Sequence, residues 1–78
     1  MTYNEILKRI RPIIAKQLNV KLRDVKPFVN ISRDLGADSL DALELVMAVE
    51  REFNIKISDE DIINIFTVDD AVKLVWQK

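Results

Sequence analysis

The chain has 78 residues, 49% hydrophobic and 32% charged, with 12 Lys/Arg against 13 Asp/Glu, no cysteine and no histidine. That places it near the lower size limit for an unassisted core and excludes a disordered tail, disulfides, zinc sites built on sulfur or imidazole, and thiol nucleophiles. It also removes the usual base for activating a serine, so covalent chemistry must arrive on an attached group or a docking protein.

The elements follow in chain order. Thr2 and Glu5 form a capping box that opens a first helix from Tyr3 to about Leu18. Ile6, Leu7, Ile10, Ile13, Ile14 and Leu18 recur at spacings of three and four, a core face. Pro12 interrupts this helix chemically and leaves two outcomes, a kink or a break near Arg11. The unbroken apolar period favours the kink. Residues 19–38 then form a long connection, pinned by Val20, Leu22, Val25, Phe28, Ile31 and Leu35, with a short turn at Leu22–Val25 limited by Pro27. The only glycine, Gly36, closes the loop and supplies a positive φ or a close approach.

Asp38 is a good N-cap, with Ser39 at the first helical position and Asp41 at the third. The second helix runs to about Phe53, and Asn54 is a left-handed stop. This helix carries two apolar stripes. Ala42, Leu45, Val46, Val49 and Phe53 make an ordinary core face. Leu40, Leu43 and Met47 lie roughly 145° around the cylinder, bordered by Glu44, Glu50 and Arg51. A small domain needs only one buried stripe, so the second meets another part of the chain, the loop 19–38 included, or a visiting partner. Ser58 with Asp61 opens a short third helix bearing Ile62, Ile63, Ile65 and Phe66. Thr67 with Asp70 opens a fourth, Val68 to about Gln77, whose core stripe is Val68, Ala71, Val72 and Val75, with Trp76 at its edge. The expected architecture is all-α: one four-helix bundle over residues 1–78, with a long first loop and a short third helix. Apolar runs are too short for a membrane span, and Glu5, Lys8, Arg9 and Arg11 interrupt any signal peptide, so the cytoplasm is expected.

Charge is unevenly placed. Residues 1–33 hold eight Lys/Arg and two Asp/Glu, whereas residues 34–70 hold two and eleven. This reads either as solvated faces or as an acidic surface around the second helix that attracts basic partners. Nucleic-acid binding by the basic part has little support, since its cations alternate with core positions and no aromatic platform lies among them. Ser39 has two readings as well, a residue of the helix cap or an acceptor for a group placed there by another enzyme. Capping is the commoner role; the loop–helix junction, the second stripe below it and the attraction of a helix N-terminus for phosphate raise the second reading, although Asp38 and Asp41 partly oppose that attraction.

Gly36-Ala37-Asp38-Ser39-Leu40-Asp41, Glu44-Leu45-Val46-Met47-Ala48 and Glu50-Arg51-Glu52-Phe53 closely resemble the acyl carrier proteins of dissociated fatty acid synthesis. The resemblance extends to Gln17-Leu18-Asn19-Val20 and Thr67-Val68, nearly the whole chain. It implies a carrier and not an enzyme, with phosphopantetheine from coenzyme A attached to Ser39 and acyl groups held on its thiol. It further implies a docking face, with Leu40, Leu43, Met47 and Ile57 as its apolar part and Asp38, Asp41, Glu44, Glu50, Asp59 and Glu60 meeting basic patches on partners. The partners so implied are a phosphopantetheinyl transferase and acyltransferase, ketosynthase, reductase and dehydratase enzymes, with the carrier a monomer. Acyl chains in the family slip between the last three helices, making Val46, Ile62, Ile65 and Val72 candidate lining. The family is usually strongly acidic. Here the chain is nearly neutral, Arg51 and Lys56 stand where acids are common, and Pro12 is atypical. A carrier dedicated to a polyketide or other specialised pathway, or a non-enzymatic protein-binding subunit, are the alternative readings.

Overall fold

Three reciprocal capping boxes set where the helices begin, in a computed structural model that describes residues 1–78. Thr2 opens α1 (Tyr3–Leu18), Asp38 opens α2 (Ser39–Phe53) and Thr67 opens α4 (Val68–Gln77), each exchanging side-chain and backbone hydrogen bonds with the acid three residues on. Ser58 caps the single turn α3 (Asp59–Ile62). Asn19 and Asn54 stop α1 and α2 in the left-handed conformation, at φ of 55° and 53°. A 3₁₀ turn at Leu22–Asp24 and one isolated antiparallel bridge, Asn30 to Thr67, are the remaining regular features. No helix is long and apolar enough to cross a membrane.

Helix α1 continues unbroken through Pro12, which is exposed. Fourteen apolar side chains form the core and no polar residue is fully buried. Ile6, Ile10 and Ile14 of α1 meet Leu45 and Val49 of α2 and Val68, Ala71, Val72 and Val75 of α4. Two polar clamps orient these helices. The Arg9 guanidinium grips the Glu52 carboxylate at 2.7 Å and the Glu52 carbonyl at 3.1 Å, and lies 4.6 Å over the Phe53 ring. The Tyr3 hydroxyl donates to Asp69 of α4, and its ring meets Trp76 edge-on at 5.8 Å.

The long connection is pinned less completely than its sequence suggests. Val25, Ile31 and Leu35 are buried, and Arg11 donates to the carbonyls of Val25 and Leu22 at 2.6 and 2.8 Å. Ile31 N–H donates to the Phe66 carbonyl at 2.8 Å, joining the loop to the α3–α4 turn. Leu22 and Phe28 point outward instead; Phe28 is 76% exposed. Pro27 and Val29, on either side of Phe28, accept backbone bonds from Asp69 and Val68. The backbone is held there while the aromatic ring faces water.

Candidate functional site

The start of α2 is built so that one hydroxyl is left over. Asp38, as N-cap, accepts the Asp41 N–H at 2.9 Å, and the Asp41 carboxylate accepts the Asp38 N–H at 3.2 Å. Both acids flanking Ser39 are thereby engaged with backbone. The Ser39 and Leu40 N–H groups have no partner, because the first helical turn has no preceding carbonyl to meet them. Gly36, at φ 76°, turns the chain into this junction, and Ala37 is buried beneath it.

The other hydroxyls of the chain are occupied. Thr2, Ser58 and Thr67 cap their helices, Ser32 donates to Asn30, and Tyr3 donates to Asp69. Ser39 stands one position inside its helix, where Asp38 does the capping. Its side chain is exposed and is the only hydroxyl in the molecule without a partner.

Below Ser39 the second stripe faces solvent. Leu40 is 63%, Leu43 52% and Met47 48% exposed, so the loop does not cover them. The acids expected beside them divide by environment. Asp38, Glu44, Asp59 and Glu60 are exposed. Asp41 is half-buried in its capping box, and Glu44 accepts from Gln17 of α1 at 2.8 Å. One expectation is corrected. Ile57 is 7% exposed and belongs to the core, not to the exposed stripe. Glu50 is half-buried, and its carboxylate takes the Ile57 N–H at 2.7 Å, a bond that turns Ile57 inward.

On its other side α2 lines an apolar cavity of about 90 Å³. Ile31, Ser32 and Ala37 contribute from the loop, Ala42, Leu45 and Val46 from α2, and Ile62, Ile65 and Phe66 from α3 and the turn beyond it. A second apolar cavity of about 30 Å³ shares Ile31, Leu45, Val46 and Ile65 and extends inward to Ile14, Val49, Ile57, Ala71 and Leu74. Val46, Ile62 and Ile65 line this space as expected, whereas Val72 is completely buried and lines neither cavity. Ala37 and Ala42 also line the larger cavity, although the sequence marked Ala42 only as core and Ala37 only as part of the segment around Ser39. Their signal is small size on either side of Ser39, which leaves the space open.

Several carboxylates elsewhere are held below their ordinary range, all outside this site. The Tyr3 hydroxyl and Lys73 lower Asp69, and a hydrogen bond from Lys78 lowers Asp61. Burial and the bond to Asp69 push the Tyr3 phenol up to about 12.

The sequence pattern of one family, described as the phosphopantetheine attachment site, matches residues 8–75. Among solved structures, the chain is similar to the acyl carrier protein of Enterococcus faecalis, with 38% identity over 99% of this chain and 98% of that one and a TM-score of 0.81. The residues present fit the prosthetic group that the family carries. An exposed hydroxyl without a partner offers the attachment atom, and two free N–H groups at the start of a 15-residue helix favour the phosphate.

Proposed function

This chain belongs to the phosphopantetheine-attachment family of acyl carrier proteins, and from that premise we propose that Ser39 bears the prosthetic group and that the cargo is the growing chain of fatty acid synthesis. Carriers of this kind are not enzymes. The group supplies a thiol that holds acyl chains as thioesters, chemistry that a chain without cysteine cannot supply itself. The single observation that carries the assignment is Ser39 as the one hydroxyl without a protein partner, exposed at the head of α2.

The chain's own residues then divide the work. Asp38 and Asp41 hold the helix start through backbone bonds and leave the hydroxyl free, and in a chain without histidine the loading enzyme supplies the base. Leu40, Leu43 and Met47 form the apolar strip on which partners dock, with Asp38, Glu44, Asp59 and Glu60 as its acidic surround. The cavity bounded by Val46, Ile62 and Ile65 takes the near end of an acyl chain out of water. An apolar cavity of roughly 150 Å³ accepts one benzene. The space here, about 90 Å³, admits a short alkyl segment, and a longer one requires α2 and α3 to separate. The partners are the loading transferase and acyl-handling enzymes with basic patches, in the cytoplasm.

Loading tests the assignment. Incubation with coenzyme A and a phosphopantetheinyl transferase should add one phosphopantetheine to the wild type and none to Ser39→Ala. Modification of the alanine variant would refute it.

A further inference from the structure

The exposed stripe of α2 does not end at Met47. Leu40, Leu43, Glu44, Met47, Ala48 and Arg51 recur at spacings of three and four, so they share one face. Arg51 is exposed and makes no ion pair, in contrast to Arg9 on Glu52. Beside it an open groove of about 330 Å³ runs between α1 and α2, lined by Ile13, Lys16, Gln17, Ala48, Arg51 and Glu52. Its only acid, Glu52, is taken by Arg9 at 2.7 Å. Lys16 and Arg51 therefore border the groove from opposite helices with no carboxylate of their own.

We infer that this groove is the basic half of the docking face, and that the enzymes docking along α2, the loading transferase among them, seat an acidic side chain between Lys16 and Arg51. The inference rests on the reading of Leu40, Leu43 and Met47 as the docking strip. A partner on that strip meets Arg51 one turn further, about 16 Å from Leu40 along the axis. An interface of ordinary size, about 800 Å² per partner, reaches that far. Taking a guanidinium out of water without a counter-charge is strongly disfavoured, so the covering surface must supply an acid. A carboxylate fits the position. Arg51 offers it two parallel N–H donors, and Lys16 adds a third from the facing wall.

The two ends of the face then ask for opposite charges. Asp38 beside Ser39 and Glu44 further along the helix call for cations, and the Lys16–Arg51 groove calls for an anion. A partner with that polarity can lie along α2 in one direction only, the direction that brings Ser39 to its active site. Enzymes with uniformly basic docking patches would be turned away at the Arg51 end.

Binding of the apo-protein to its own organism's phosphopantetheinyl transferase, with coenzyme A absent, tests this by calorimetry. Arg51→Glu should weaken the complex about tenfold or more, and Lys16→Glu should weaken it less. Lys8→Glu makes the same charge change away from the groove and should stay within about twofold of wild type. Met47→Ala should also weaken binding, which reports on the strip itself. If Met47→Ala weakens the complex while Arg51→Glu binds as well as wild type or better, the basic half is overturned and the strip stands. Equal losses for Arg51→Glu and Lys8→Glu overturn it too, since net charge alone would then be acting. If neither Met47→Ala nor Arg51→Glu has an effect, the strip and the groove fall together.

Discussion

Adjacent residues on α2 separate the core from the face proposed for docking. Val46 is half-buried and borders both cavities, whereas Met47 is 48% exposed and belongs to the proposed docking strip. Val46→Ala removes two methyl carbons from the core side and should cost about 1 kcal/mol of stability. Met47→Ala should leave the melting temperature nearly unchanged and reduce affinity for partner enzymes. Thermal melts beside binding titrations check the pair, and the opposite ordering would mean that the two faces of α2 have been exchanged. The same contrast shows which part of the α2 surface was legible in sequence. Periodicity gives the phase of a helix, so the placement of Leu40, Leu43 and Met47 away from the core followed from spacing alone. Ile57 lies in an irregular connection with no such phase. Its orientation depends on one long-range bond, Glu50 carboxylate to Ile57 N–H, that no local pattern announces.

At the scale of the elements, the helix starts were legible because each carries a polar residue and an acid three positions later; three of the four close as reciprocal boxes, and Ser58 caps α3 one way only. The loop from 19 to 38 was legible in part. Val25, Ile31 and Leu35 turn inward, yet Phe28 does not, because the backbone bonds on either side of it fix an orientation that composition cannot supply. Pro12 offers a direct test of α1. The helix persists although the Lys8 carbonyl loses the donor that residue 12 would supply. Pro12→Ala restores that bond at an exposed position and should stabilise the protein by about 1–2 kcal/mol in urea unfolding, the restored bond outweighing the greater freedom of the unfolded chain. The contact between α1 and α4 should be visible in the pH dependence. The Tyr3 phenol is raised from 10.0 to about 12, so its contribution is full below pH 10 and lost as pH rises towards 12. Asp69 is lowered from 3.8, so its contribution is full above that pH and lost as pH falls further. Tyr3→Phe should lower stability at neutral pH by about 1–2 kcal/mol and flatten the alkaline limb of the stability profile, as followed by denaturant unfolding across pH. A profile identical to that of wild type above pH 10 would show that the Tyr3–Asp69 bond contributes nothing in solution.

For the whole molecule, the division of charge along the chain becomes a division of tasks. Several of the N-terminal cations are structural. Arg9 clamps α1 to α2, and Arg11 holds the loop carbonyls. The acids gather from the start of α2 to α4, where Asp38 and Glu44 face water and set a negative field on the Ser39 side of α2. Pairing within the fold thus leaves the Ser39 end acidic although the chain as a whole carries a net charge of only −1. None of this pairing is local in sequence, which is why the N-terminal basic run could be read as a surface when two of its arginines serve the fold. The central claim is that this fold exists to present a group on Ser39, and intact-mass measurement of the protein purified from its own source tests it most directly. The account expects a chain heavier than its sequence by one phosphopantetheine, a fraction of it also bearing an acyl group released by hydroxylamine, with all added mass on the peptide containing Ser39. An unmodified chain from actively growing cells, or the added mass on any other residue, would contradict it.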